Sequence, residues 1–134
     1  MAAVRILIAD DFPAWRQCIL TLLEPIPEFQ IVGVAEDGLE AAQKAQELQP
    51  DLVLLDIGLP KLNGIEAARQ ICLAAPLVTI LFVSENRCRA VIQEALRTGA
   101  CTRGYVLKSE VASDLLPAMR AVMQRERFVS GDLA

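Results

Sequence analysis

Short apolar runs alternate five times along this chain with stretches of helical period, and few folds accommodate that order. The runs are Val4 to Ala9, Gln30 to Ala35, Leu52 to Leu55, Leu77 to Val83 and Gly104 to Leu107. Between and after them the apolar positions recur every three or four residues: Trp15, Cys18, Ile19, Leu22 and Leu23; Ala41, Ala42, Ala45 and Leu48; Ile65, Ala68, Ile71 and Cys72; Val91, Ile92, Ala95 and Leu96; Leu115, Leu116, Met119, Val122 and Met123. The first, third and fourth runs are almost wholly apolar, which suits parallel strands covered by helices on both faces. Right-handed crossovers then give an α/β, doubly wound (βα)5 parallel sheet.

Local punctuation sets the expected boundaries. Asp11 can cap the first helix, with Pro13 in its first turn, where a missing N–H does least harm. Glu36-Asp-Gly38 marks a turn and Gly99 a helix stop. Pro117 falls inside the last helical pattern, so that helix should begin as late as Ser113 or bend near its start.

Composition excludes several function classes. The 134 residues suit one domain with a sizeable core. Although 54% of residues are hydrophobic, the longest apolar stretch, Ile71 to Val83, is broken by Pro76 and Thr79 and is too short to cross a bilayer. Met1-Ala-Ala-Val4 carries no export signal, so a cytoplasmic, membrane-free protein is expected. A net charge of -4 opposes direct nucleic acid contact by this chain. There is no histidine, which removes a His base, a His-containing triad and a zinc site completed by imidazole. Cys18, Cys72, Cys88 and Cys101 are scattered, and reduced thiols serving as small packing residues are expected.

The polar residues tell more, because they gather at the ends of the apolar runs. Asp10 and Asp11 follow the first, Asp56 closes the third, Ser84 ends the fourth and Lys108 follows the fifth. In an open parallel sheet those ends share one edge, where ligands bind. Carboxylates held together repel unless a cation lies among them, so Asp10, Asp11 and Asp56 suit a divalent metal beside a nucleophilic carboxylate. A hydroxyl and an ammonium nearby suit an anionic group carried on that carboxylate. The bland competitors are helix capping by Asp11, an ordinary turn serine and an ordinary surface lysine.

These pieces resemble the receiver domain of two-component response regulators, especially the LuxR/FixJ-type. The matching segments are Ile8-Ala-Asp-Asp11, Leu54-Leu-Asp-Ile-Gly-Leu-Pro60 with Asn63-Gly64, Phe82-Val-Ser84 and Gly104-Tyr-Val-Leu-Lys108, and the likeness runs from Val4 to Arg125. It implies a flavodoxin-like fold of strand order 2-1-3-4-5, with Asp56 phosphorylated by a histidine kinase. By the same resemblance, Asp10, Asp11, Asp56 and the backbone carbonyl of Gly58 would hold Mg²⁺, with Mn²⁺ as a possible substitute. Ser84 and Lys108 would contact the phosphoryl group, Tyr105 would swing from exposed to buried, and Gly58 and Asn86 would tune phosphate lifetime. Gly64 and Pro60 would shape the loop after Asp56. A homodimer through the helix 4/strand 5/helix 5 face, or through helix 1 and helix 5, is a further implied partnership. The chain would be a regulatory phosphoacceptor and not an enzyme, apart from catalysing its own phosphotransfer and slow dephosphorylation.

Departures from the pattern matter for function. Glu85 places a carboxylate beside the phosphoacceptor, where it would repel a phosphoryl group or narrow access. Cys101-Thr-Arg103 lengthens the loop before the fifth strand, and Phe12 makes the pocket more apolar. Residues 1–125 are expected to form the receiver and 126–134 the start of a linker to a helix-turn-helix domain, in preference to a stand-alone receiver. A phosphorylation-independent binding module is the alternative function. A flavin carrier or an aspartate-based phosphatase fits poorly, since Asp-Asp-Phe-Pro-Ala replaces the Ser/Thr/Gly-rich loop of the former and the DxD of the latter.

Overall fold

Each apolar run becomes a strand in the computed structural model, which describes residues 2–130. The strands are β1 (Val4–Ala9), β2 (Phe29–Ala35), β3 (Leu52–Leu55), β4 (Thr79–Ser84) and β5 (Thr102–Leu107). Five helices alternate with them: α1 (Pro13–Leu23), α2 (Gly38–Leu48), α3 (Gly64–Ala74), α4 (Arg89–Leu96) and α5 (Val111–Met123). The sheet is parallel throughout, in the order β2-β1-β3-β4-β5, and a short strand β6 (Phe128–Val129) continues it beyond β5. The expected order is therefore present, with β6 as an addition from within the stretch expected to be linker. The rest of that stretch, 131–134, lies outside the described residues.

Alternation along the strands divides the core in two. Leu7, Ala9, Val53, Leu55, Ile80 and Phe82 face α2, α3 and α4, while Ile6, Ile8, Leu52, Leu54, Leu81 and Val83 face α1 and α5. Full burial of each large aliphatic side chain contributes about 1.5–3 kcal/mol, so both helical layers are held by the sheet between them. No described helix is long and apolar enough to cross a membrane.

Several boundaries differ from expectation for identifiable reasons. Phe12, not Asp11, occupies the N-cap of α1, and no side chain caps that helix. Asp11 is exposed instead. Asp37 caps α2 by accepting from Glu40 N at 2.8 Å, and Asn63 caps α3 through the amides of Ile65 and Glu66. β4 starts at Thr79 because a turn, Val78 N to Ala75 O, intervenes and leaves Leu77 exposed. The last helix begins at Val111, ahead of Ser113, after a 3-10 turn over Lys108–Glu110. Pro117 is tolerated inside it on the exposed side, where water can satisfy the carbonyl freed by the missing N–H. Gly99 is not a left-handed helix stop, since α4 ends at Leu96 and no described glycine has positive φ.

The extra length before β5 is absorbed in two ways. Ile80 pairs with Thr102 and Leu81 with Gly104, so Arg103 is a bulge residue without a partner on β4. Cys101, at the base of the strand, is joined to Cys72 near the end of α3 by a disulfide with Cα atoms 5.9 Å apart. This corrects the expectation of reduced thiols for that pair. Cys18 and Cys88 are free, but exposed and not packed. The disulfide closes a loop of 29 residues in sequence separation, for which restriction of the unfolded chain is worth about 3.6 kcal/mol. Urea unfolding with and without reductant should differ by roughly that amount in the native chain, and by nothing in Cys72→Ala/Cys101→Ala. Equal midpoints in the native chain would show that no such bond supports the fold.

Candidate functional site

The register of the sheet brings four strand ends to one edge. Ala9 pairs with both Ala35 and Leu55, Leu55 with Phe82, and Ser84 with Leu107. Asp10, Asp56, Ser84 and Lys108 therefore emerge at the carboxyl edge together, all buried. Backbone bonds from Asp10 N to Ala35 O and from Asp56 N to Ala9 O, each 3.0 Å, carry the ladder one residue past the strands.

Two glycines press the loop after β3 onto this edge. A Cβ on Gly64 would lie 2.0 Å from the carbonyl oxygen of Asp56, and one on Gly38 only 1.7 Å from that of Leu62. Gly64 N donates to Ile57 O at 2.7 Å, and Gly38 N to Pro60 O at 3.2 Å. The roles expected of Gly64 and Pro60 in shaping this loop are met, with Gly38 as a partner that local sequence did not suggest.

Lys108 is the centre of the site's electrostatics. Its Nζ donates to Asp10 Oδ2 at 2.8 Å and to Asp56 Oδ2 at 3.1 Å. It also stands 5.1 Å from the centroid of the Trp15 ring, within cation–π range. Burial by itself lowers the lysine pKa, but the bonds and charges of Asp10 and Asp56 outweigh it and leave the pKa raised. Burial raises the Asp10 pKa, against the opposing pull of Lys108 and of the Phe12 amide.

A lysine bridging two of the acids could have excluded a cation, yet space remains. Ligand oxygens of Asp10, Asp11 and Asp56 all lie within 4.8 Å of one another. A cavity of about 580 Å³ opens beside them, lined by Asp11, Phe12, Trp15, Asp56, Gly58 and Glu85 among others. The Oδ1 atom of Asp56 is held by one long bond, from Gly58 N at 3.4 Å. An oxygen-only set of this kind, partly open to water, fits Mg²⁺ or Mn²⁺ and offers no soft ligand for zinc or copper.

Ser84, Asn86 and Tyr105 form a second group beside the acids. Ser84 Oγ accepts from Asn86 N at 3.2 Å, and the Tyr105 hydroxyl donates to Asn86 O at 2.7 Å. Tyr105 is fully buried against Phe82, so the exposed resting position expected for it is not the one adopted. Burial pushes its phenol pKa up, partly offset by hydrogen bonding with Ser84. Glu85 is exposed on the cavity rim.

Trp15 and Arg16 were not anticipated at the site. Trp15 had been counted among core positions, and Arg16 donates to Asp10 O at 2.8 Å while pairing with Glu36. Their distance from the acidic pair, about one helical turn past Pro13, is the signal that could have found them.

The chain belongs to the response regulator receiver domain family, whose model matches residues 6–120. It is 34% identical over 126 residues to the transcriptional regulatory protein DegU of Brevibacillus brevis, which covers 94% of this chain and 52% of that protein. Among solved structures, a LuxR-family two-component response regulator from Aurantimonas sp. SI85-9A1 matches with a TM-score of 0.91 and 32% identity, covering 98% of this chain and 93% of that one. A structure of two RcsB dimers bound to two parallel DNAs matches at 0.88 with 25% identity, covering 98% of this chain and 66% of that one. The chain thus spans about half the length of the first of these relatives.

Trp15 is the only tryptophan, so its fluorescence should report any cation that displaces Lys108 from the acids. Titration with Mg²⁺ is expected to give a saturable change that Asp11→Asn shifts about tenfold or more to higher concentration, the loss of one charged ligand. An unaltered midpoint would remove Asp11 from the metal site.

Proposed function

We propose that this domain is the phosphoacceptor switch of a two-component system, accepting a phosphoryl group on Asp56 from a histidine kinase. One observation carries the proposal: the Asp56 carboxylate faces an open cavity with an ammonium 3.1 Å from one oxygen and two further carboxylates in cation-sharing range. In the transfer an Asp56 oxygen bonds to phosphorus as the phosphorus–nitrogen bond of the donor phosphohistidine breaks in line, and the imidazole leaves with that electron pair. Bound Mg²⁺, held by Asp10, Asp11, Asp56 and the Gly58 carbonyl, would neutralise charge on the transferring oxygens. Lys108 turns from the carboxylates to the new phosphoryl oxygens, and Ser84 donates to one of them.

The relatives' names support the wider reading that the domain regulates transcription through a DNA-binding domain that follows residues 126–134. We place it in the cytoplasm, without membrane or direct nucleic acid contact. A homodimer is supported by the RcsB likeness, through the α4/β5/α5 face or through α1 and α5. The chain is a regulatory acceptor, and its only catalysis is of its own phosphorylation and slow dephosphorylation.

A second reading has two observations in its favour. Glu85 stands on the rim of the cavity, and the longer connection before β5 carries the Arg103 bulge. Both suit a receiver that binds its partner without phosphorylation.

Intact mass after incubation with acetyl phosphate and Mg²⁺ separates the two. The native chain should gain the mass of one phosphoryl group and Asp56→Asn none. No gain in the native chain favours the binding module. Gly58 and Asn86 bring no basic group to the line of water attack, so the phosphorylated chain should hydrolyse over minutes or longer, followed as loss of that mass. A half-life of seconds contradicts the lifetime assignment of those two positions.

A further inference from the structure

We infer that β6 is the output contact of this domain: phosphorylation of Asp56 loosens its pairing with β5, so the segment Phe128–Ser130 is docked or free according to the state of the site. The inference rests on Asp56 as phosphoacceptor and adds the element that reads it.

β5 is built to receive β6 closely. Gly104 pairs with Phe128 and Tyr105 with Val129. A Cβ on Gly104 would come within 2.8 Å of the Phe128 carbonyl oxygen, so a side chain there would push the strand away. Arg103, the bulge residue, donates to Arg125 O at 3.1 Å and holds the turn that precedes β6. Arg125 itself takes a left-handed φ of 64° in that turn.

Ser130 closes the contact. Its N–H donates to Tyr105 O at 3.0 Å, its Oγ accepts from Leu107 N at 3.0 Å, and none of the residue is exposed. Leu107 is the residue through which site and segment meet. On one side it pairs with Ser84 of β4, and on the other it bonds Ser130. The next residue along the chain is Lys108.

A phosphoryl group on Asp56 brings about two negative charges and three strong acceptor oxygens. Ser84 and Lys108 both turn toward them, and both flank Leu107. The end of β5 is thereby drawn toward β4, which lengthens the bond from Leu107 N to Ser130 Oγ on the opposite side. A two-residue strand held by so few bonds is the weakest pairing in the sheet and gives first. Its release leaves β5 as an open edge, the surface to which another strand can add. Linkage is reciprocal, so weakening β6 must favour loading of Asp56 by the same factor.

Amide hydrogen exchange tests this on the native chain, with Mg²⁺ and beryllium fluoride as the phosphoryl mimic. Exchange at Leu107 and Ser130 should speed by about fivefold or more on loading, while Leu54 and Leu81 in the central strands stay within about twofold. The reciprocal arm uses Ser130→Ala, checked for native secondary structure by circular dichroism. It should bind beryllium fluoride in the presence of Mg²⁺ with a lower Kd than the native chain, and an equal Kd overturns the coupling. Intact mass after incubation with acetyl phosphate scores phosphorylation of Asp56 independently. Mass gain with unchanged or slower exchange at these two amides overturns the role of β6 and leaves the acceptor function standing. Absence of mass gain overturns both.

Discussion

Mutual repulsion among Asp10, Asp11 and Asp56, gathered within 4.8 Å at one sheet edge, is the constraint around which this domain is arranged. The two buried members of the trio need a cationic partner, because a charge taken out of water is costly unless paired. Lys108 compensates two of them here, at 2.8 and 3.1 Å, and its raised pKa expresses how strongly the acids hold its proton. Asp11, which the lysine does not reach, is the one left facing water. A cation or a phosphoryl group arriving at the site must therefore exchange partners with an ammonium already present. Lys108 is thus the group whose bonds a ligand at this edge would have to replace.

Such an exchange needs a scaffold that does not follow the moving charges, and the packing supplies it. β1, β3 and β4 are sealed on both faces, and the loop after Asp56 is pinned by two glycines whose Cβ positions are filled by backbone. Trp15 covers the lysine from α1 by ring contact alone, so the hydrogen bonds of the ammonium go to Asp10 and Asp56.

The parallel, doubly wound sheet and the acidic edge were legible in the sequence because both follow from residue order alone, whereas the strand order 2-1-3-4-5 was implied by the resemblance to receiver domains. Wholly apolar runs imply a sheet buried on both faces, and that in turn places residues such as Asp10 and Asp56 at a shared edge. Contacts that depend on loop geometry were not legible. Asp11 and Asp37 are both acids before a helix, but only Asp37 caps, because Phe12 takes the N-cap of α1. Cys72 and Cys101 are distant in sequence and meet only because the longer connection before β5 folds back on α3. β6 was hidden for a similar reason: Phe128–Val129 is too short to register as a strand pattern, and its stability comes from Gly104 and Ser130. The buried Tyr105 depended on a bond to the Asn86 carbonyl that no spacing predicts.

The two ends of β5 are held very differently, and that asymmetry decides where movement can occur. At its start, Cys101 is bonded to α3, Thr102 Oγ1 donates to Gly99 O at 2.8 Å and Arg103 bulges out of register. At its finish stand Leu107 and Lys108, tied to groups whose charge a phosphoryl would change. If phosphorylation loosens β6 as proposed, a strand anchored at its start would shift at Tyr105 to Lys108 and not at Cys101 to Arg103. The disulfide and bulge thus fix the start of β5, leaving the end next to the acids as the part that a charge change at the site can address.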